Sequence, residues 1–304
     1  MAATTSTRSW RLLPRGVKSS LYWLISLVIL GLAVWKHGAG HAEQNIRDRL
    51  QGPSAQHWLG TDGAGRDNLQ ELLHGLPWSV EVALLATLIA AAVGTVVGVT
   101  TGWYGRWWSR AVLRLVDFEV AFPFVVMAVV LIGVLGRGTL QIALVLGLAL
   151  WPLVARVVHS ETLQLREQEY VVYSNLVWGN GLRVIREHLI PALLIRVAVV
   201  SAFVFGDVLG AAAALSLLGI GPSLETSSWG NMLADGQQYL NRDPWIAMSA
   251  AAALVLLLVF VNMLADRLAA AASRSGTADT MTELLAPAEA ADLDATGPAD
   301  RGPR

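Results

Sequence analysis

The sequence contains no cysteine, so it has neither a disulfide framework nor a thiolate-bound metal or cluster. Lysine is almost as scarce. Lys18 and Lys36 are the only two and neither follows a glycine, which removes the phosphate-binding P-loop and any ATP hydrolysis by that motif in this chain alone. No His-Glu-x-x-His pair and no Gly-x-Ser-x-Gly elbow occurs. Charge is short as well: 15% of the 304 residues are charged, against about 25% in a soluble domain. The formal net charge of −1 argues against nucleic acid as the main partner.

What the chain has instead is apolar residues, 54% of the total. They gather in blocks of about 17–25, the length that crosses a bilayer core as a helix. The expected fold is therefore an all-α membrane protein with six spans, about Leu21–Trp35, Ser79–Trp103, Leu115–Leu135, Leu140–Val158, Ala192–Leu218 and Trp245–Leu264. The first block follows Arg8, Arg11, Arg15 and Lys18, so it reads either as a retained anchor or as a cleaved signal peptide. Trp78, Trp103, Trp107, Trp108, Trp151 and Trp245 fall near the expected span ends, as interface-anchoring aromatics do.

The basic residues orient these spans. Segments on one side carry Arg8, Arg11, Arg15, Lys18, Arg106, Arg110, Arg114, Arg156, Arg166, Arg183, Arg186, Arg196, Arg267 and Arg274. The other side carries only Lys36, Arg47, Arg49, Arg66, Arg137 and Arg242. The basic-rich side is cytoplasmic by the positive-inside rule, which places both termini there, in the cytoplasmic membrane. The organisation expected is a cytoplasmic tail over 1–19, an anchor over 20–36, an outer segment with an interfacial helix over 37–78, a core of five helices over 79–268 and a disordered cytoplasmic tail over 269–304.

Glu161–Pro191 is the one sizeable inner connection. Val171, Val172, Leu176 and Val177 recur at helical spacing after Glu169; Trp178-Gly179-Asn180-Gly181 is a strong turn signal; Leu182, Val184, Ile185, Leu189 and Ile190 follow, and Pro191 opens the next span. This is helix, turn, helix, with an apolar stripe outside the bilayer that needs a cover. Either the ends of the chain's own spans or a cytoplasmic partner supplies it.

Four stretches resemble the permease subunits of binding-protein-dependent ABC importers, specifically the C-type permeases of the dipeptide, oligopeptide and nickel group. They are His57-Trp58-Leu59-Gly60-Thr61-Asp62-Gly63-Ala64-Gly65-Arg66-Asp67; Arg114-Leu115-Val116-Asp117 with Ala121-Phe122-Pro123; the hairpin, from Trp151-Pro152 through Glu169-Tyr170-Val171 to His188-Leu189-Ile190-Pro191; and Leu215-Ser216-Leu217-Leu218-Gly219-Ile220-Gly221 with Ser228-Trp229-Gly230-Asn231-Met232-Leu233-Ala234. The resemblance implies a type I importer permease fold. It implies a chain without catalysis of its own, paired with a second permease subunit, two ATPase subunits that bind ATP and Mg, and an extracytoplasmic solute-binding protein. It also implies that the hairpin is the ATPase-coupling loop, with Glu169, Tyr170, Val171, Val172, Leu176, Trp178, Gly179, Leu189 and Pro191 as its residues. The chain departs from the family there: Val172-Tyr173-Ser174 stand where the loop reads Glu-Ala-Ala, and Trp178 stands where it has its Gly. The cargo implied is peptides or similar small solutes, nickel among them.

Two features lie outside the motifs' assigned roles. Asp207, near the middle of the fifth span, either lines the translocation path or is neutral or paired with a neighbouring helix. Gly60, Thr61, Asp62, Gly65, Arg66 and Asp67 form an outer Gly-rich segment that reads as a structural knot, with a metal or a peptide terminus as the alternative. Asp67 is well placed to cap a short helix over Asn68–His74. Two further functions compete with the importer: an ion- or proton-coupled secondary transporter using Asp207, and a non-transporting membrane scaffold.

Overall fold

The computed structural model describes residues 44–295 apart from 123, 224 and 225, with side chains to residue 270 other than that of residue 106. The expected anchor over 20–36 and the tail over 1–19 lie outside the described residues. Among the described residues there is no β-strand, only one isolated bridge between Thr61 and Asp67.

The chain enters through a short 3-10 turn at Ile46–Asp48 and a polar loop, then forms α1 (Asn68–Tyr104), α2 (Arg106–Ala121), α3 (Phe124–Leu135), α4 (Thr139–Arg166), α5 (Glu169–Trp178) and α6 (Gly181–Val184). A π turn at Ile185–Leu189 leads into α7 (Ile190–Leu217), followed by α8 (Trp229–Gln237) and α9 (Trp245–Ala295). Among the described residues four helices are long and apolar enough to cross a membrane: Asn68–Tyr104, Thr139–Arg166, Gly181–Leu217 and Trp245–Ala270.

The expected third span is not one straight helix. Trp107–Ala121 and Phe124–Leu135 meet at 90°. The cause is local: Phe122 precedes Pro123 and is extended (φ −80°, ψ 134°), because the proline ring excludes the helical region from the residue before it. The expected short helix Asn68–His74 and second span are instead one helix, α1. Asp67 starts it as foreseen, its Oδ1 accepting from the Leu69 and Gln70 amides at 2.8 and 3.2 Å. Pro77 does not stop it. At the other end of the chain α9 runs to Ala295, through residues 269–295, where a disordered tail is expected from composition. The run Ala269–Ala272 has the highest helix propensity available and carries the helix past Leu268.

α1 and α4 form the spine. Gly94, Gly98 and Gly102 recur every four residues on α1, and an ideal Cβ on each would fall 2.6 Å from the Cβ of Val154, Val158 and Thr162 on α4. Gly147 of α4 returns the arrangement against Ile89, at 2.8 Å from its Cβ. Rows of i, i+4 residues thus interdigitate at backbone contact. Ala86 and Ala90 are fully buried on the same face. α7 packs across this pair through Leu193, Val204, Val208, Leu209 and Leu215, α9 lies on α7, and α8 wedges between their outer ends. Trp151, expected near a span end, sits mid-way along α4, 8% exposed and hydrogen-bonded to Glu119.

Candidate functional site

Three places carry chemistry, and the fold sets them at different heights. The outer one begins with Asp62. Its Oδ1 accepts from the Ala64 and Arg66 amides, each at 2.8 Å, and its Oδ2 accepts from Arg66 Nε at 2.8 Å. Arg66 reaches on to Glu71 Oε1 at 3.5 Å, and the Ser227 hydroxyl donates to the same oxygen at 2.6 Å. The Thr61 hydroxyl donates to the Asp48 carbonyl, and Asn68 Nδ2 to Leu59 O at 2.8 Å. Asp67 shares its Oδ2 with His57 at 2.8 Å. The six residues singled out from sequence, Gly60 to Asp67, do come together, and α8 joins them: Trp229 Nε1 donates to Leu72 O at 2.7 Å.

Burial alone would lower the Arg66 pKa, but Glu71 and Asp62 outweigh it and hold the guanidinium above its ordinary value. Asp235 of α8 is pushed up by burial, with Arg66 pulling the other way. Among the described residues no group of three or more His, Cys, Asp or Glu is arranged to hold a metal, and an arginine occupies the centre of this one. The geometry is that of a knot tying the loop, α1 and α8 together. Gly65 is fixed within it by conformation and by contact: its φ is +76°, and a Cβ would collide with the Asn45 carbonyl. Gly65→Ala is expected to lower stability by about 1–3 kcal/mol, read as a lower Tm of the detergent-solubilised protein; an unchanged Tm would show that the knot is not strained by a side chain there.

At the opposite ends of the spans α5 and α6 form the hairpin foreseen from sequence. Gly179 makes the turn at φ +59°, and Asn180 caps α6, its Oδ1 accepting from the Leu182 amide at 3.1 Å. The hairpin is tied to the spine: Arg166 donates to the Gly102 and Trp103 carbonyls at 3.2 and 3.3 Å, and a Cβ on Gly181 would fall 2.7 Å from Trp103 Nε1. The π turn leaves α6 continuous with α7 as one 37-residue helix.

The apolar stripe divides in two. Val171, Val184, Ile185 and Leu189 are buried against the chain's own spans. Tyr170, Val172, Tyr173, Leu176, Val177 and Leu182 are exposed, Tyr173 by 69% and Leu176 by 78%. The chain's own spans thus cover one half of the stripe and leave the other exposed. Glu167 and Glu169 flank a shallow groove whose floor is Tyr170, Val172, Tyr173 and Leu176. Glu169, Gly179 and Pro191 are exposed, and Trp178 is half-buried.

Trp178 and Ser174, which stand at positions where small residues were expected, both face His188. The Ser174 hydroxyl lies 2.8 Å from Nε2, and the Trp178 ring centroid is 5.2 Å from the imidazole. Arg183 sits over Trp178 at 4.5 Å and pairs with Glu187 at 3.0 Å. Tyr173 and this brace escape the periodicity count, and the count marks Val177 and Leu182 as apolar without separating the buried from the exposed edge. Between the two ends Asp207 projects from the middle of α7 and is exposed. Glu161 and Arg196 pair at 3.6 Å, and Asp117 and Arg156 at 2.7 Å, on the half nearer the hairpin.

Residues 94–275 match the family model described as "Binding-protein-dependent transport system inner membrane component". The chain is similar to the dipeptide transport system permease protein DppC of Alkalihalophilus pseudofirmus, 30% identical over 87% of this chain and 89% of that protein. It is also similar to the nickel transport system permease protein NikC of Escherichia coli K12, 31% identical over 74% and 81%. The glutathione transport system permease protein GsiD of Shigella flexneri is 30% identical over 85% and 87%. Among solved structures, a chain of the inward-facing MetNI methionine ABC transporter superposes with a TM-score of 0.54 at 18% identity, covering 67% of this chain and 97% of that one. That likeness speaks to fold alone.

Proposed function

We propose, for a chain that belongs to the family of binding-protein-dependent transport system inner membrane components, that the Glu169–Pro191 hairpin couples partner ATPases to a solute path through the cytoplasmic membrane. The family makes the chain the permease subunit of an ATP-driven importer. Its relatives' names point to peptides or similar small solutes, nickel included, as cargo. A second permease subunit completes the path, two ATPase subunits bind ATP and Mg, and an outer solute-binding protein delivers cargo. Both termini are cytoplasmic, the permease core is 79–268, and this chain carries no catalytic step.

The observation that carries the coupling role is the exposed half of the hairpin: Tyr170, Val172, Tyr173, Leu176 and Val177 on α5, and, across the Gly179–Asn180 turn, Leu182 on the rod continuous with α7. An apolar surface of this kind beyond the span ends is covered when a partner groove receives it. Motion of that groove then moves α7 as one body. Burying a leucine contributes about 1.5–3 kcal/mol, so Leu176→Asp with Tyr173→Asp is expected to weaken ATPase docking by about a hundredfold or more. The double variant still folds, because both side chains point away from the core. Co-purification of the ATPase subunits and ATP-dependent uptake in proteoliposomes are the measurements. Undiminished docking by the double variant, or uptake that follows a proton gradient without any ATPase, overturns the assignment.

A further inference from the structure

Asp207 lies on a stripe of α7 that nothing in this chain covers. Phe203, Asp207, Gly210, Ala214 and Leu217 are all exposed. Their spacing of four, three, four and three keeps them on one face, and a Cβ on Gly210 would meet nothing within 4 Å. The opposite face of the same helix is packed, with Val204, Val208, Leu209 and Leu215 each no more than 2% exposed.

The carboxylate has no counter-charge at its own level. No hydrogen bond or ion pair reaches it among the described residues. The next cation down the helix, Arg196, is about 16 Å away along the axis and is engaged by Glu161 at 3.6 Å. Beside Asp207 on α9, Asn262 lies 3.9 Å from the Cβ position of Gly206 and spends its Nδ2 on Leu258 O at 2.9 Å. Asp207 stands about 15 Å below the outer end of α7 at Leu217, at mid-membrane depth. Hydrocarbon does not accommodate a carboxylate there, so the face that bears it meets a protein partner or a wet cavity. Small residues above the carboxylate leave room for both.

We infer that Asp207 is a specificity residue on the solute path, an uncompensated anionic point that favours cationic cargo: a protonated amine, as on a lysine-bearing peptide, or a divalent metal ion. The inference rests on the importer reading above, in which a second permease subunit closes the path against this face of α7. Such a point attracts a positively charged solute as it passes the mid-membrane constriction and repels an anionic one.

The test uses the assembled importer in proteoliposomes with three radiolabelled tripeptides that differ only in a central Lys, Ala or Glu, and Ni2+ as a fourth probe. Asp207→Asn is expected to lower ATP-driven uptake of the Lys peptide or of Ni2+ by about tenfold, the equivalent of one charge-assisted contact. Uptake of the Ala peptide stays within twofold and that of the Glu peptide does not fall. Asp207→Glu, which keeps the charge, retains the wild-type order. An Asn variant that changes all probes by one factor, or none, overturns the inference, as does an Asn variant that no longer co-purifies with the second permease, since Asp207 would then be a subunit contact. A wild type that imports no probe with ATP sinks the importer reading itself, and the inference with it, a result distinct from the others because it precedes any variant.

Discussion

Gly98→Leu should yield no folded protein, and Gly98→Ala should already be costly. The Cβ of an alanine at 98 would lie 2.6 Å from Val158 Cβ and 2.8 Å from the Ala155 carbonyl oxygen, so α1 and α4 must move apart to admit it. They cannot do so locally, because Gly94 and Gly102 make the same approach one turn away on either side. Overpacking of this kind costs about 1–3 kcal/mol for a methyl group and more for larger groups. An alanine returns only about 1 kcal/mol in helix propensity. The expected fall in Tm for Gly98→Ala is on the order of 5 °C, read on the detergent-solubilised protein by loss of the monodisperse peak after heating. Val158→Ala does not relieve the clash, since the collision is with the β-carbon itself. Val158→Gly removes that collision, though not the one with the Ala155 carbonyl, and the Gly98→Ala/Val158→Gly pair should be more stable than the sum of its single changes. Strict additivity in that cycle would mean that the helices do not touch at this point.

The same ladder shows what sequence patterning can and cannot reveal. Gly94 and Gly98 are visible as a Gly-x-x-x-Gly pair, a pattern common enough by chance to carry no weight alone. Nothing in the string says that its partner is Val154 and Val158 of the same chain rather than another subunit. Four of the six expected spans were legible as single helices, because twenty apolar residues leave few alternatives. Span shape was not. The bend at Phe122 follows from Pro123 once one asks where the next backbone amide is missing, whereas hydropathy averages across it and returns a single block. In the same way the apparent break between His74 and Ser79 was an artefact of polarity. The helix carries Pro77 straight through, and Ser79 Oγ donates to Gly75 O at 2.9 Å in the same turn.

In the hairpin the motif frame located the element, and Gly179 and Asn180 located its turn. What the frame could not supply was the consequence of the substitutions inside it. Ser174 adds a hydroxyl where the family has an alanine and Trp178 an indole where it has a glycine, and in space both are directed at His188. The bulk of Trp178 is spent inside the hairpin, whereas Val172 and Tyr173, the other departures, lie on its exposed apolar edge. Val171 and Leu189, grouped with the docking residues by motif, belong to the inner edge and hold the hairpin to the spans.

Arg66→Leu should remove the outer knot's counter-charge and lower stability by about 3–5 kcal/mol, the range for leaving buried charges without their partner. Asp62 keeps its two backbone donors and Glu71 keeps Ser227. The two carboxylates and that of Asp235 then face one another without a cation. The loss should depend on pH with a definite sign. Burial holds the Asp235 pKa above its unfolded value, and Arg66 opposes that rise, so removing the guanidinium moves it further up. Between the unfolded and the folded pKa the native state binds the extra proton. The contribution of that proton to stability is therefore full below the unfolded pKa, falls as pH rises through the window and is lost above the folded pKa. Arg66→Leu should accordingly melt closer to wild type at about pH 5 than at about pH 8, and adding Asp235→Asn should flatten the difference. A deficit that is equal at both pH values, or larger at the acidic one, would mean that Asp235 does not feel Arg66 and that α8 is held to the knot by Trp229 and Ser227 alone.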